Sequence, residues 1–142
     1  VNASVDFEPN RTKAEMIDTK AALPPKERGS LLWNRFVMKS IDYKKLNEKM
    51  LEKKHAKEHF RMMFVDFDDS PRRDTRAIIA KGSSPKRFGK YLRKTIRLSM
   101  QEENEYVFLN AWNEWGEGNY LEPDTRHGYS YLSQIKKVWN DC

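Results

Sequence analysis

Three stretches of the chain repeat apolar residues every three or four positions, which is the spacing of one face of an α-helix. The first follows Asp42, a suitable N-cap residue, and is predicted to run to about Lys57. The second starts at Ser84 and Pro85, which combine an N-cap with a proline in the first turn. The third lies near the C-terminal end. The three apolar faces consist of Tyr43, Leu46 and Met50; of Phe88, Tyr91, Leu92, Ile96 and Met100; and of Tyr131, Leu132, Ile135, Val138 and Trp139.

Short apolar runs precede these helices and predict β-strands at residues 3–7, 61–67 and 106–111. Residues 10–41 carry many charges and two adjacent prolines, and we predict a long loop there. The order strand, loop, helix, repeated three times, favours an α/β fold with parallel strands and crossover helices. A complete (β/α)₈ barrel needs roughly 250 residues. Residues 1–142 are therefore expected to form a single domain, which is either about three units of a barrel or a small open sheet.

The composition narrows the class of protein. The chain has 27 basic and 21 acidic residues, a net charge of +6. The basic residues alternate with acids on helical patterns, so solvated helix faces explain them and no nucleic-acid partner is expected.

No apolar run approaches the roughly 18 residues of a transmembrane segment. Cys142 is the only cysteine, which fits a reducing compartment, so we expect a cytoplasmic protein. The chain begins with Val1 and no signal-type segment follows, so we expect a processed chain or a piece of a longer protein.

The segment after the last predicted strand, residues 112–124, is the most unusual part of the sequence. It places Glu114, Glu117 and Glu122 within a few residues of two tryptophans and a tyrosine. Neighbouring carboxylates repel one another, so such a cluster is costly unless its charge is used. In parallel α/β folds, ligands bind at the carboxyl ends of the strands, where this segment begins. Gly116 and Gly118 allow the backbone to curl, so Glu114 and Glu117 could face one cavity.

Three interpretations of this segment remain open on chemistry alone. A pair of carboxylates is the usual equipment for cleaving a glycosidic bond, and flat tryptophan rings can stack on sugars. Oxygen ligands at these spacings also suit Ca²⁺ or Mg²⁺. Finally, the segment could be a surface loop whose tryptophans pack on the last helix.

Residues 107–124 resemble the signature of the WbsX-like polysaccharide-biosynthesis proteins, which are related to glycoside hydrolase family 99. Gly128, Tyr131 and Leu132 continue the pattern. Two shorter stretches agree with motifs of the same family, in the same order along the chain. They are Asp6-Phe7-Glu8-Pro9, with Glu8 for an expected glutamine, and Asp68-Asp69-Ser70-Pro71-Arg72, where Phe67 and Asp69 replace a tryptophan and an asparagine.

The resemblance implies the C-terminal portion, about three βα units, of a (β/α)₈ TIM-type barrel. It implies a carbohydrate-active protein of lipopolysaccharide or O-antigen metabolism, either a hydrolase or a glycosyltransferase, acting on a glycan or an activated sugar without a cofactor. Family 99 hydrolases cleave α-mannosides with retention, and their two acids carry over to Glu114, as base toward the sugar 2-hydroxyl, and Glu117, as acid. The alternative is a non-catalytic glycan-binding or scaffold piece. The implied partner is the remainder of the barrel or a second copy. The implied substrate-binding residues are Trp112, Asn113, Trp115, Tyr120, Glu122, Asp68 and Arg72.

Two other patterns have chemical meaning. Residues 55–59 match H-x-x-E-H, a zinc-peptidase pattern, and the predicted helix would place His55 and His59 on one face. No third ligand is evident in the sequence, so a solvated helix end is the favoured interpretation and no metal is expected. Asp66, Asp68 and Asp69 could also hold a cation. The favoured interpretation directs Asp68 into the sugar site and uses Asp69 to cap a turn.

Overall fold

The computed structural model describes residues 3–17, 39–74 and 77–141. No helix among these residues is long and apolar enough to cross a lipid bilayer. The helices are Asn10–Ile17 (α1), Tyr43–Glu52 (α2), Ser70–Arg73 (α3), Pro85–Gln101 (α4) and Ser130–Asn140 (α5). The strands are Ser4–Val5 (β1), Lys39–Asp42 (β2), His59–Phe64 (β3), Ile78–Lys81 (β4), Val107–Asn110 (β5), Asn113–Glu114 (β6) and Asn119–Tyr120 (β7).

A three-stranded parallel sheet in the order β1-β3-β5 forms the centre of the fold. In its register Ser4 lies opposite His59, and Arg61 lies opposite Val107. Each of these strands leads, after a connection, into one of the long helices α2, α4 and α5. The predicted α/β fold with parallel strands is therefore confirmed for the described residues.

The remaining strands lie in the connections that follow the carboxyl ends of the main sheet. β2 and β4 pair in parallel, and β6 and β7 form an antiparallel hairpin. The backbone N–H of Ala80 donates to Phe67 O at 2.7 Å, and the N–H of Asp68 donates to Glu117 O at 2.7 Å. These bonds hold β4 and the β6–β7 hairpin against the segment that leaves β3. The connections therefore meet at one edge of the sheet.

Helix α4 contributes three large side chains to the core because its apolar face matches the helical repeat. Phe88, Tyr91 and Leu92 are buried, and Tyr91 contacts the fully buried Tyr43 of α2 with ring centroids 6.1 Å apart. Tyr43 also packs on Phe64 of β3, at 5.1 Å. Burial of each such side chain stabilises the fold by about 1.5–3 kcal/mol. The core thus joins α2 and α4 to the central strand.

The structure corrects several predicted boundaries. Residues 10–41 are not a single long loop, because α1 and β2 lie within them; residues 18–38 lie outside the described part. Helix α2 ends at Glu52 rather than near Lys57, because the carbonyl of Lys53 accepts a hydrogen bond from Arg61 Nη2 at 2.5 Å and the chain turns toward β3. The pattern H-x-x-E-H is consequently not helical.

Two residues of the predicted apolar helix faces are exposed. Met100 of α4 is 63% exposed and Trp139 of α5 is 79% exposed, although the sequence placed both on apolar stripes. They flank an open groove between α4, β5 and α5. No described strand continues the sheet beyond β5, so this end of the helix layer lacks a neighbour.

One face of the parallel sheet is also left open. Phe60 of β3 packs against Tyr106 and Phe108, with ring centroids 5.6 and 5.9 Å apart. Tyr106 is 61% exposed and Phe108 is 44% exposed, and Val5 and Phe7 are exposed nearby in β1 and after it. We call these five residues the aromatic face.

The N-cap of α2 offers a direct test of the local structure. The Asp42 carboxylate accepts a hydrogen bond from Lys45 N at 2.9 Å, as the sequence predicted. Replacement of Asp42 by Ala is expected to lower the free energy of unfolding by about 1 kcal/mol, because the cap is lost. Urea denaturation measures the change. Asp42→Asn, which retains a capping oxygen, should stay close to wild type, and equal losses in both variants would contradict the capping role.

Candidate functional site

Residues 112–124 fold back on themselves instead of forming an open loop. Asn113 pairs with Tyr120 and Glu114 with Asn119, and a 3₁₀ turn, Trp115–Glu117, joins the two strands. Gly118 follows the turn with φ of 57°, in the left-handed region that favours glycine. A Cβ atom there would lie 3.3 Å from Asp68 Cβ, so the glycine also lets the hairpin approach the end of β3.

A single arginine contacts both predicted acids. Arg72 lies on α3, immediately after the central strand, and its Nη2 donates to Glu114 while Nη1 donates to Glu117 Oε1 at 3.2 Å. A Cβ at position 116 would lie 2.5 Å from Arg72 Nε, so Gly116 leaves the space that the guanidinium occupies. The two carboxylates are therefore no farther apart than one guanidinium can span. The side chains of Arg72, Glu114 and Glu117 are 51%, 39% and 22% exposed, so a ligand can reach them.

The aspartates that follow β3 have separate partners. Asp68 Oδ1 accepts a hydrogen bond from Ser70 N at 2.9 Å, while its backbone holds Glu117. Asp69 is buried, accepts from Ile78 N at 2.6 Å and pairs with Arg73 at 3.1 Å. The prediction that the Asp69 side chain caps the turn is wrong, because that carboxylate makes no capping bond and is bound to β4 instead.

The three aspartates considered as cation ligands do not converge. The carboxylate of Asp66 accepts from Phe67 N at 2.8 Å, away from the partners of Asp68 and Asp69. Burial raises the pKa of Asp66, which the charge of Asp68 raises further, against hydrogen bonding and the charge of Arg126. Within residues 3–17, 39–74 and 77–141, three metal-ligating side chains cluster elsewhere, at Asp6, His55 and His59.

Trp115 forms an aromatic surface beside the acids. Its ring stacks on Tyr120, with centroids 3.8 Å apart and planes 26° apart, and its Nε1 donates to Glu122 Oε2 at 2.8 Å. Tyr120 in turn donates to Asp124 Oδ2 at 2.8 Å. Trp115 is 47% exposed, so one part of the ring remains open to a ligand. These bonds fix the plane of the indole.

Trp112 and Asn113 are joined to the site through their backbones. Trp112 O accepts from Leu121 N at 2.9 Å and from Glu122 N at 2.8 Å, and Asn113 pairs within the hairpin. The side chains of both residues are exposed. The structure thus brings Glu114, Glu117 and Arg72 into one cluster, places Trp115, Tyr120 and Glu122 in an adjoining one, and leaves the Trp112 and Asn113 side chains open to solvent.

Two residues near the acids were missed by the sequence analysis. Lys13 of α1 is 8% exposed, its Nζ lies 3.6 Å from the centre of the Phe67 ring, and burial lowers its pKa while Asp69 and Glu117 raise it. The predicted loop over residues 10–41 gave no signal for Lys13.

Asn119 is fully buried and its Oδ1 accepts from Val65 N at 3.0 Å, which anchors the hairpin. Its place inside the conspicuous segment was the available signal.

Comparisons with known proteins find one family model and two relatives that match nearly the whole chain. The family model described as "Glycosyltransferase WbsX" matches residues 1–135. Two relatives from two strains of Xanthomonas campestris pv. campestris, both named "Uncharacterized protein WxcX", are 29% and 28% identical over 141 residues. The alignments cover 96% of this chain but only 19% of each relative, so the chain spans about a fifth of their length. No solved structure matches.

The hydrogen bond from Tyr120 to Asp124 predicts a measurable titration. Burial, and then the bond and charge of Asp124, raise the pKa of Tyr120 from 10.0 to about 12. Asp124→Asn should lower this pKa, although burial keeps it above the ordinary value of about 10. NMR titration of tyrosine Cζ, with Tyr120→Phe to assign the signal, measures it.

The same shift gives the sign of a stability effect. Because the folded pKa is raised, the contribution of Tyr120 to stability is present below about pH 10 and is lost as the pH rises through about 12. An unchanged Tyr120 titration in Asp124→Asn would contradict the role of the hydrogen bond.

Proposed function

The chain belongs to the WbsX glycosyltransferase family, and from that premise we propose that Glu114 and Glu117 act on a glycan or an activated sugar in cell-surface polysaccharide metabolism. The observation that carries the proposal is the bridging of both carboxylates by Arg72 at the carboxyl edge of a parallel sheet. Ligands bind at this edge in α/β folds, and paired carboxylates at short range are the equipment of glycosidic chemistry.

In the proposed reaction Glu114 removes the proton of the sugar 2-hydroxyl, and that oxygen forms a bond to the anomeric carbon. The bond from the anomeric carbon to the leaving oxygen breaks, and Glu117, which enters this step as the protonated acid, gives its proton to that oxygen. Glu117 then takes a proton from water, or from an acceptor hydroxyl, as this oxygen opens the 1,2-anhydro ring, and Glu114 returns its proton to the 2-oxygen. Water gives hydrolysis and a sugar acceptor gives transfer. Arg72 orients both carboxylates throughout.

The aromatic residues provide a surface for the sugar. The indole of Trp115 is held in its plane by Tyr120 and by Glu122, so it presents a rigid apolar face. Trp112, 54% exposed, offers a second ring on the same segment. Asp68, Asn113 and Glu122 complete the proposed set of sugar-binding residues.

The chain is proposed to form part of a (β/α)₈ barrel whose other strands come from the remainder of a longer protein. Two observations support this: the aromatic face of the sheet is open, and the relatives are several times longer than this chain. In a closed barrel, neighbouring strands satisfy the sheet edges and side chains fill the interior.

A non-catalytic glycan-binding role is the second candidate. It is favoured by the ion pairs themselves, since both acids already have Arg72 as a partner. In that case the exposed tryptophans, rather than the carboxylates, account for the affinity. Calorimetric titration with glycans, combined with hydrolysis and transfer assays, separates binding from turnover.

Replacement of Glu114 or Glu117 by Gln in the full-length protein is expected to lower turnover by roughly 10²–10⁴-fold, because general acid–base catalysis is lost while the side-chain shape is kept. Hydrolysis and transfer assays with sugar substrates measure it. Glu52→Gln, at the exposed end of α2, is the matched control and should behave as wild type. Near-normal turnover in either active-site variant would reject the catalytic role, and unchanged glycan binding without any turnover in wild type would favour the second candidate.

The open aromatic face predicts self-association of the isolated 142-residue chain. Exposed apolar surface of this kind associates with other apolar surface in water when the covering strands are absent. Size-exclusion chromatography with light scattering should detect dimers or larger species at micromolar concentration. Phe108→Ser should reduce their fraction, while Tyr129→Ser, which removes an exposed aromatic residue elsewhere, should not. A well-folded wild-type monomer would contradict the partial-barrel proposal.

A further inference from the structure

A second cluster of chemically versatile side chains lies where β1 ends and β3 begins, apart from Glu114 and Glu117. His55 Nε2 lies 2.7 Å from Asp6 Oδ2, and His59 Nε2 lies 3.0 Å from Asp6 Oδ1. One ligand atom of each residue lies within 4.8 Å of those of the other two. Asp6 thus adds a third side chain of metal-ligating type to the two histidines of the H-x-x-E-H pattern.

The backbone around the cluster is held in place by the sheet and by buried polar contacts. His59 begins β3 opposite Ser4, and Asp6 follows β1 directly. The link that carries His55 is fixed by its own N–H, which donates to Glu102 Oε1 at 2.9 Å. Glu102 also receives a bidentate pair of bonds from Arg61, at 2.7 and 2.6 Å. The three side chains are therefore positioned before any ligand arrives.

The outer nitrogens of both imidazoles have suitable neighbours. His59 Nδ1 lies 2.8 Å from Ser4 Oγ, and a hydroxyl can serve either histidine tautomer as donor or acceptor. His55 Nδ1 is buried, has no hydrogen-bond partner among the described residues, and lies 3.9 Å from Glu102 Oε1. A carboxylate or hydroxyl behind a metal-bound histidine is the usual arrangement that orients the ring.

The cluster is buried on one side and accessible on the other. The side chains of Asp6 and His55 are 4% exposed, while His59 is 30% exposed. A cavity of about 150 Å³ lies against all three residues. Arg11 contacts Asp6 at this opening, is 52% exposed, and has Glu15 at 3.7 Å as another partner. An incoming cation can therefore replace Arg11 at the carboxylate.

We propose that Asp6, His55 and His59 form a binding site for one zinc-class divalent ion, coordinated by both Nε2 atoms and one Asp6 oxygen, with water in the fourth position. Two imidazoles and one carboxylate are a donor set that suits Zn²⁺ and not Mg²⁺ or Ca²⁺. Ligand bonds of about 2.1 Å place tetrahedral ligand atoms about 3.4 Å apart, and the ligand atoms of the cluster already lie within 4.8 Å of one another. When the ion binds through Nε2, each neutral imidazole carries its one proton on Nδ1, which faces Ser4 Oγ in His59 and the Glu102 carboxylate in His55.

The bound ion joins β1 to β3 and to the link after α2, so it stabilises the folded state. This proposal stands independently of the carboxylate pair, because none of the three ligands belongs to the candidate active site. Failure of one proposal therefore leaves the other intact.

The test is titration of the metal-free 142-residue chain with Zn²⁺ by calorimetry, together with Co²⁺ absorption spectroscopy and thermal unfolding. All proteins carry Cys142→Ser, so that the thiol contributes nothing. We expect one Zn²⁺ per chain, a rise in Tm, the visible absorption of low-coordinate Co²⁺, and no such response to Mg²⁺. His59→Gln and His55→Gln should each weaken binding by at least about tenfold, a loss that even an outer-shell partner can cause.

The control is His127→Gln, which removes the third histidine of the chain, outside the cluster. It should bind Zn²⁺ as the parent does, and circular dichroism confirms that each variant is folded. Arg11→Ala removes the competing cation and should strengthen binding. The proposal is overturned if the parent chain does not bind Zn²⁺, or if folded His59→Gln binds it as tightly as the parent. Equal weakening by His127→Gln would also overturn it.

Discussion

Strand β3 hydrogen-bonds to β1 on one side and to β5 on the other, and both sites depend on this double pairing. Parallel pairing aligns the carboxyl ends of β3 and β5, because Phe64 lies opposite Asn110, so the segments that follow these two strands meet at one edge. It also aligns the amino ends, where His59 faces Ser4. A single central strand thus sets the position of the carboxylate pair at one end and of the histidine cluster at the other.

At the carboxyl edge, the hairpin is attached to the segment after β3 by the Asn119 side chain and by a backbone bond. Asn119 Oδ1 accepts from Val65 N, and Asp68 N donates to Glu117 O. The bond between Val65 N and Asn119 Oδ1 is buried, so its loss would be costly, and the two bonds together define one position of the hairpin. Glu114, Glu117 and Trp115 are consequently carried on a fixed frame and stay partly exposed.

At the amino edge, a buried ion pair has the corresponding role. Arg61 and Glu102 are 5% and 15% exposed and form two parallel hydrogen bonds, and Arg61 also binds the carbonyl of Lys53. Burying such charges is costly unless all their hydrogen-bonding groups find partners, and loss of one partner leaves the other uncompensated. The pair therefore determines where α2 ends and where His55 lies.

Local patterns in the sequence determined the local structure. Apolar spacing identified the three long helices and the three strands of the parallel sheet, and capping chemistry identified Asp42 and Ser84, because these signals arise between residues close in the chain. The motif in residues 107–124 indicated the family, which the match over residues 1–135 shows.

Only the tertiary structure decided that Lys13 lies beside Phe67, that Arg72 bridges two acids about forty residues away, and that Asp6 lies beside two histidines. It also decided that Met100 and Trp139 are exposed, since a helical stripe records an apolar face but not whether a neighbour covers it. These facts depend on strand pairing between distant segments, which no local pattern of side chains encodes.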